Sequence, residues 1–307
     1  MRIINAEDIR KTATWPLVIE ALRSGHLRPK ARTGDTLLES GDRKMLVRSG
    51  WIDGVAAGVK AVTVFPDNEP PHPSVQGQVL LFDDDTGAVS AILDGTEITK
   101  WKTAADSALG ADCLARPDVA TMLMIGAGTM AEPLIRAHLS VRPSIRQVMI
   151  WNRTLARAEA LAGRLGDLDA TVEAVADLDR AVPDADLVSS ATMTSEPIIK
   201  GALLKPGCHV DLVGAYTPDM READDDALTR GRLFVDSFDT TVGEIGELMI
   251  PLAAGTISRQ GVLGDLHALV EGRAGRQSAD EITLFKNGGG AHLDLMTSRY
   301  ILDAWKG

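Results

Sequence analysis

The stretch Thr121-Met122-Leu123-Met124-Ile125-Gly126-Ala127-Gly128-Thr129-Met130-Ala131-Glu132-Pro133-Leu134-Ile135 decides how this chain is read. An uncharged apolar run ending in glycine fits a strand buried on both faces, as in a parallel sheet. Gly126 to Ala131 then fits G-x-G-x-x-G/A, a pattern that is weak alone and informative between a strand and an amphipathic helix. Gly126 permits the tight turn, Gly128 lets a pyrophosphate approach the backbone, and Ala131 lets helix and strand pack closely. Ala127, Thr129 and Met130 complete the loop, and the amides opening the helix bind the diphosphate. The expectation is a Rossmann unit beginning near Ala120.

Working outward toward the C-terminus, strand-like and helix-like segments alternate, the mark of a doubly wound parallel sheet. Further strands are expected at Gln147–Thr154, Asp184–Thr192, Cys208–Ala215 and Arg232–Phe238, and Ile282–Gly289 is a candidate to close the sheet. The second strand ends in Asn152-Arg153-Thr154, where an NAD site usually carries an Asp or Glu for the ribose hydroxyls. Without that carboxylate nothing repels a 2′-phosphate, and Arg153 adds a charged planar fork. The expected cofactor is NADPH, with Arg157 either assisting or an ordinary solvated charge.

Upstream, residues 35–94 read as strands of a mostly antiparallel sheet, the last two flanking the turn Asp84-Asp85-Thr86-Gly87. Pro16 opens a short helix with Leu17, Ile19 and Leu22 as its apolar side. Thr96–Leu114 reads as a helix ending before Arg116-Pro117. The last segment, His292–Trp305, reads as a helix with no place in the Rossmann unit. It is expected to return to the first domain, which is then discontinuous. The expected fold class is α/β: a Rossmann doubly wound sheet over 118–289, plus an α+β domain from 1–117 and 290–307.

The net charge of −11 excludes a nucleic-acid or anionic-membrane surface as the natural partner, since either needs a basic patch. No apolar run reaches the roughly 20 residues a membrane span requires, and the N-terminus lacks a signal-peptide core. Cys113 and Cys208 stand apart and the six histidines show no metal-ligand spacing, so a cytoplasmic chain without a metal site is expected. Cations in or beside apolar strands are the substrate-side candidates: Arg32, Arg48, Lys60, and Lys102 next to Thr103. Lys60 stands out because its near neighbours, Thr63 excepted, are apolar or glycine. A lysine there must find an anion or water, or lower its pKa, and a carboxylate substrate would serve.

Taken in order, GVKAVTVFPDN, ITKWKTAADSALGADCLARPD, MIGAGTMA, WNRT, GCHVDLVGAYTPDMREAD and ITLFKNGG resemble the ornithine cyclodeaminase/mu-crystallin family along nearly the whole chain. The resemblance implies an N-terminal substrate and dimerisation domain, a Rossmann domain and a homodimer. It places Arg32 and Lys60 on the substrate carboxylate, with Arg48 and Lys102 as helpers. Lys102 stands where the family usually has Arg, which loses the bidentate fork. Ser74 and Thr103 match positions against the nicotinamide half, and Thr192, Met193 and Tyr216 complete the expected cofactor set.

One departure concerns the reaction. Cyclodeaminases carry an Asp where this chain has Tyr216, and without it the acid/base group for deamination is missing. The GAxxPDxRE form instead resembles the family's ketimine reductases. The resemblance therefore implies NADPH-dependent reduction of Δ1-pyrroline-2-carboxylate to L-proline, or of Δ1-piperideine-2-carboxylate to L-pipecolate. The competing readings are a cyclodeaminase or amino-acid dehydrogenase of the same family, and a non-catalytic NADPH or small-ligand binder. Retention of the candidate cations favours catalysis.

Overall fold

The computed structural model describes residues 1–307, and the chain divides into two compact units, Met1–Ala105 with Gly290–Gly307, and Asp106–Gly289. The first boundary falls inside the helix Gly95–Leu114 rather than at 117/118. Arg116-Pro117 stops the helix, but the chain changes packing partners before the helix ends.

The first unit opens with β1 (Arg2–Ile4), α1 (Ala6–Thr12) and α2 (Trp15–His26). The Asn5 side chain accepts from the Glu7 and Asp8 amides while Asp8 returns to the Asn5 amide, a reciprocal cap that fixes where α1 starts. Val18, Ile19 and Leu22 form the buried side of α2, whereas Leu17 is 54% exposed. At about 100° per residue Leu17 lies roughly 200° from Ile19, so both cannot face the core.

Five strands follow: β2 (Arg32–Ser40), β3 (Arg43–Ile52), β4 (Ala56–Val64), β5 (Val75–Phe82) and β6 (Val89–Asp94). They form a six-stranded sheet ordered β1-β6-β5-β4-β3-β2, antiparallel except for the parallel β1–β6 pair. Gly41, at φ 61°, opens the two-residue turn joining β2 to β3 and so sets their register, Arg32 opposite Trp51 and Asp35 opposite Arg48. The long helix α3 (Gly95–Leu114) comes next.

The second unit carries β7 (Thr121–Ile125), α4 (Ala131–Val141), β8 (Gln147–Trp151), α5 (Leu155–Arg164), β9 (Thr171–Val175), α6 (Leu178–Ala181), β10 (Leu187–Ser190) and β11 (His209–Leu212). It continues through α7 (Asp225–Arg230), β12 (Arg232–Val235), α8 (Phe238–Thr241), α9 (Gly246–Ala254), α10 (Leu266–Val270) and β13 (Thr283–Lys286). All seven strands are parallel, in the order β12-β13-β11-β10-β7-β8-β9. This is a Rossmann-type doubly wound sheet, and its order reverses between β7 and β10, where ligands bind in such folds. Two details differ from the sequence reading. The edge strand β9 was not anticipated, and β13 inserts between β11 and β12 instead of closing the sheet. Leu123, Ile125, Val188, Val210 and Leu284 are fully buried in the core of this unit, each contributing about 1.5–3 kcal/mol by burial.

The C-terminal helix α11 (Ala291–Ala304) belongs to the first unit and lies on β3 and β4. Glycines make that approach possible. A Cβ on Gly58 would fall 2.6 Å from Leu295 Cδ2 and 2.9 Å from the Leu80 carbonyl, and one on Gly50 would fall 3.0 Å from Leu295 Cδ1.

Candidate functional site

In the second unit the Gly126–Ala131 loop connects β7 to α4 as the sequence suggests. Gly126 adopts φ 106°, and an added Cβ would lie 2.9 Å from the Ala191 carbonyl, so both backbone conformation and space require glycine. Around Gly128 a Cβ would meet nothing within 4 Å, which leaves open space for a ligand to approach the backbone. Ala131 is buried and opens α4, whose cap position, Met130, offers no side-chain cap. The Ala131 amide donates to the Gly128 carbonyl at 3.1 Å and Pro133 has no N–H, which leaves the Glu132 amide of the first turn for an outside acceptor.

Gly126, Ala127 and Gly128 line a cavity of about 460 Å³ at the carboxyl ends of β7, β8 and β10, while Thr129, Met130 and Ala131 are not part of its lining. Asn152, Arg153, Thr154 and Arg157 form one wall and Ala191–Ser195 another. The lining holds two arginines and no carboxylate, so the wall that an NAD site would make acidic is basic here. Asn152 links this wall to the glycine loop. Its Oδ1 accepts from the Ala127 amide at 3.2 Å and its Nδ2 donates to the Thr154 carbonyl at 3.0 Å, tying the two turns together. Arg153 and Arg157 are the charged side chains of this wall. A nicotinamide dinucleotide fits this donor set.

Thr192 and Met193 both line the cavity, but differently. Thr192 directs its amide and its hydroxyl to Glu222, each at 2.8 Å. Met193 is exposed, with its sulfur 4.0 Å from the hydroxyl of Tyr216, which is 61% exposed. Glu222, the last residue of the GAxxPDxRE form, was given no role from the sequence, although its carboxylate is fully buried beside this wall. Burial pushes its pKa up, against the pull of the Lys286 charge and the Ser190 and Thr192 hydrogen bonds.

In the first unit the substrate-side candidates separate into two groups. Arg48 on β3 and Lys60 on β4 are directly paired and share a sheet face. Lys60 is 6% exposed and donates to Asp294 Oδ1 at 2.9 Å and Thr99 Oγ1 at 3.4 Å, with Asp294 Oδ2 at 2.8 Å. Lys102, also buried, stands 3.7 Å from Asp294 and donates to the Gly290 carbonyl at 3.5 Å. Burial alone would raise the Asp294 pKa, but the charges of Lys102 and Lys60, with Arg48 beyond, hold the carboxyl below the usual range. The Lys60 ammonium has three N–H donors, and three oxygens stand around it, both of Asp294 and Thr99 Oγ1.

Arg32 stands apart from this group. Register places it opposite Trp51, on the sheet face that Arg48 and Lys60 do not use, and its side chain, 72% exposed, pairs with Asp53 at 2.6 Å. Ser74 is exposed in the loop before β5, and Thr103 is half-buried on α3. The anion demanded by Lys60 is supplied from within the chain by Asp294, a residue the sequence reading passed over. The available signal was an Asp set between Leu293 and Leu295 in the first turn of the helix.

With the geometry in place, the comparisons can be set beside it. The model of the ornithine cyclodeaminase/mu-crystallin family matches residues 21–307. A Δ1-pyrroline-2-carboxylate reductase of Paracoccus denitrificans is 51% identical over 296 residues, covering 96% of this chain and 94% of that protein. Among solved structures, Thermococcus litoralis Δ1-pyrroline-2-carboxylate reductase in complex with NADH and L-proline superposes with a TM-score of 0.92 at 30% identity, covering 99% and 97% of the two chains. The iminosuccinate reductase of Paracoccus denitrificans in complex with NAD+ follows with a TM-score of 0.90 at 29% identity, covering 99% and 96%.

Proposed function

The chain belongs to the ornithine cyclodeaminase/mu-crystallin family, and from that premise we propose that it is an NADPH-dependent reductase of cyclic imino acids. The substrates are Δ1-pyrroline-2-carboxylate, giving L-proline, and its six-membered homologue Δ1-piperideine-2-carboxylate, giving L-pipecolate. The reductase names and the proline-bound neighbour support this reaction class. The observation that carries the reading is the cluster of cations gathered on one buried carboxylate, Lys60 paired with Asp294 and Lys102 and Arg48 close by.

In this reading the substrate carboxylate meets the positive face made by Lys60, with Lys102 and Arg48 adding favourable charge. The ring is thereby held in one orientation, which is most of what the chemistry asks of the protein, because the C=N carbon is already electrophilic. Bound NADPH supplies the hydride. The proton taken up by the ring nitrogen is assigned to the Lys60 ammonium or a water beside it. Arg32, being on the other sheet face, is assigned to substrate only if its pair with Asp53 opens. Ser74 and Thr103 stay as proposed contacts to the nicotinamide half.

The dinucleotide neighbours carry NADH and NAD+, so the preference for NADPH rests on this chain's own cavity, with Arg153 and Arg157 and no acid. We assign a homodimer formed through the first sheet, whose β2 is exposed along its length and where Leu37, Leu38, Met45 and Trp51 are exposed. The proposed setting is the cytoplasm. The chain has no helix long and apolar enough to cross a membrane.

Oxidation of NADPH should be followed against both ring sizes, with pyruvate plus ammonia and L-ornithine as controls. The proposal expects rapid turnover of a cyclic imino acid and no ammonia from L-ornithine, since Tyr216 replaces the cyclodeaminase acid. Ornithine cyclisation rivalling imine reduction would place the chain among the cyclodeaminases instead. Binding of NADPH without turnover of any imine would favour a carrier.

A further inference from the structure

The parallel sheet of the second unit holds an unusual carboxylate. Glu222 lies in the connection between β11 and α7, is fully buried, and forms no ion pair. Its Oε1 accepts from Ser190 Oγ at 2.5 Å and from the Thr192 amide and hydroxyl at 2.8 Å each. Its Oε2 accepts from the Gly214 amide at 2.6 Å. One side chain therefore bridges the carboxyl ends of two adjacent strands, β10 through Ser190 and Thr192 and β11 through Gly214.

The turns it joins are packed too tightly to settle elsewhere. A Cβ on Gly214 would collide with the Thr192 backbone and come within 2.7 Å of Glu222 Oε1. Across the cavity, Gly126 is pressed against the Ala191 carbonyl. The Ala191 amide ties the start of the wall to the Ile125 carbonyl at 2.9 Å, and from Thr192 onward the position of the wall depends on Glu222. Glu222 is itself gripped from behind. Glu247, in the first turn of α9, accepts from the Glu222 amide at 2.7 Å and the Ala223 amide at 3.0 Å. Lys286, at the end of β13, donates to the Leu212 and Asn287 carbonyls and offers the opposing buried charge.

A buried carboxylate satisfied by neutral donors is costly to desolvate, and a serine or a water could satisfy a loop amide at less cost. What the carboxylate alone does is gather four donors from two strands at one point. We propose that Glu222 is the positioning residue of the dinucleotide cavity, fixing the Thr192 wall against the glycine loop without itself touching the cofactor. This rests on the reading of the cavity as a nicotinamide dinucleotide site.

The test is direct binding of NADPH, followed by its fluorescence, to Glu222→Gln at a temperature where circular dichroism shows the variant folded. Glutamine keeps the shape, but its amide must point N–H groups either at the Gly214 amide or at the three donors on the other oxygen. The dissociation constant and the KM for NADPH should rise about tenfold or more, as expected for about 1.4 kcal/mol, while the KM for the imino acid stays unchanged. A role in folding alone would lower the melting temperature and leave the affinity of the folded variant as in the parent, which would overturn the proposal. If Glu222→Gln does not fold, Ser190→Ala decides the matter: a weaker rise in the same constant supports the proposal, and unchanged affinity overturns it. Failure of the parent protein to bind either NADPH or NADH would instead remove the cavity reading on which the proposal stands.

Discussion

Lys60→Met removes a buried charge while keeping most of the stem's packing, and its consequences follow from the Asp294 geometry. The parent pair is 2.8 Å apart and nearly without solvent. Removing one partner of such a pair strands the other, a loss of about 3–5 kcal/mol. Lys102 remains 3.7 Å from Asp294, so the lower end of that range, about 3 kcal/mol, is expected for stability. Urea unfolding followed by tryptophan fluorescence suits the measurement, because Trp15 and Trp101 stack in the same unit with ring centroids 4.0 Å apart. Adding Asp294→Asn to Lys60→Met removes the stranded charge and should recover about 1 kcal/mol or more. Activity should not recover with it. A substrate carboxylate that loses the Lys60 ammonium costs kcat/KM at least about a hundredfold, the equivalent of about 3 kcal/mol. Lys60→Met with parental stability and near-parental imine reduction would refute the reasoning, and the anion site would have to be sought elsewhere.

The remaining predictions are shorter. Arg153→Ala should lower the efficiency with NADPH about tenfold or more, the loss of a charge-assisted phosphate contact, and leave NADH nearly unchanged; equal losses with both cofactors would count against the 2′-phosphate assignment. Light scattering at micromolar concentration should give twice the mass of one chain, and a monomer would contradict the assigned dimer. Glu247 should tie stability to pH. Burial, then repulsion from Glu222, raises its carboxyl from the ordinary 4.5 to about 7, so the folded state holds a proton that the unfolded state has already released. That stabilisation is present below about pH 4.5 and is lost as pH rises to 7, about 3 kcal/mol in all. His209, depressed by burial to about 3, pulls the opposite way as pH falls, and the buried carboxyls of Glu222 and Asp236, also raised, pull the same way as Glu247. The parent curve must therefore be compared with that of Glu247→Gln, in which the fall between pH 4.5 and 7 should be shallower.

The sequence made the Rossmann half legible because its strands are short, apolar and closed by glycine, and because the Gly126–Ala131 spacing has a physical reason at each position. The strand β9 was hidden by Glu173 and by the exposure of an edge, which blur the apolar run. Lys60 could be found because a charge inside an apolar strand must be compensated. Its partner could not be named, since Asp294 lies 234 residues away and only the Gly50 and Gly58 gaps show that α11 comes down onto β3 and β4. Arg32 was grouped with Lys60 by resemblance, and the face it occupies depends on the β2–β3 register, where a shift of one residue exchanges the two faces. Glu222 closes the GAxxPDxRE form and Glu247 opens a helix, yet neither was singled out, because a buried carboxylate looks in sequence like a solvated one.

The central claim is that hydride passes from NADPH to the C=N carbon of a cyclic imino acid, and isotope transfer tests it most directly. Δ1-Pyrroline-2-carboxylate should be incubated with NADPH carrying deuterium at the transferable C4 position, and the product examined by proton NMR and mass spectrometry. The account predicts L-proline with one deuterium, located on Cα. L-Proline without label, deuterium elsewhere in the ring, or no proline at all would contradict it.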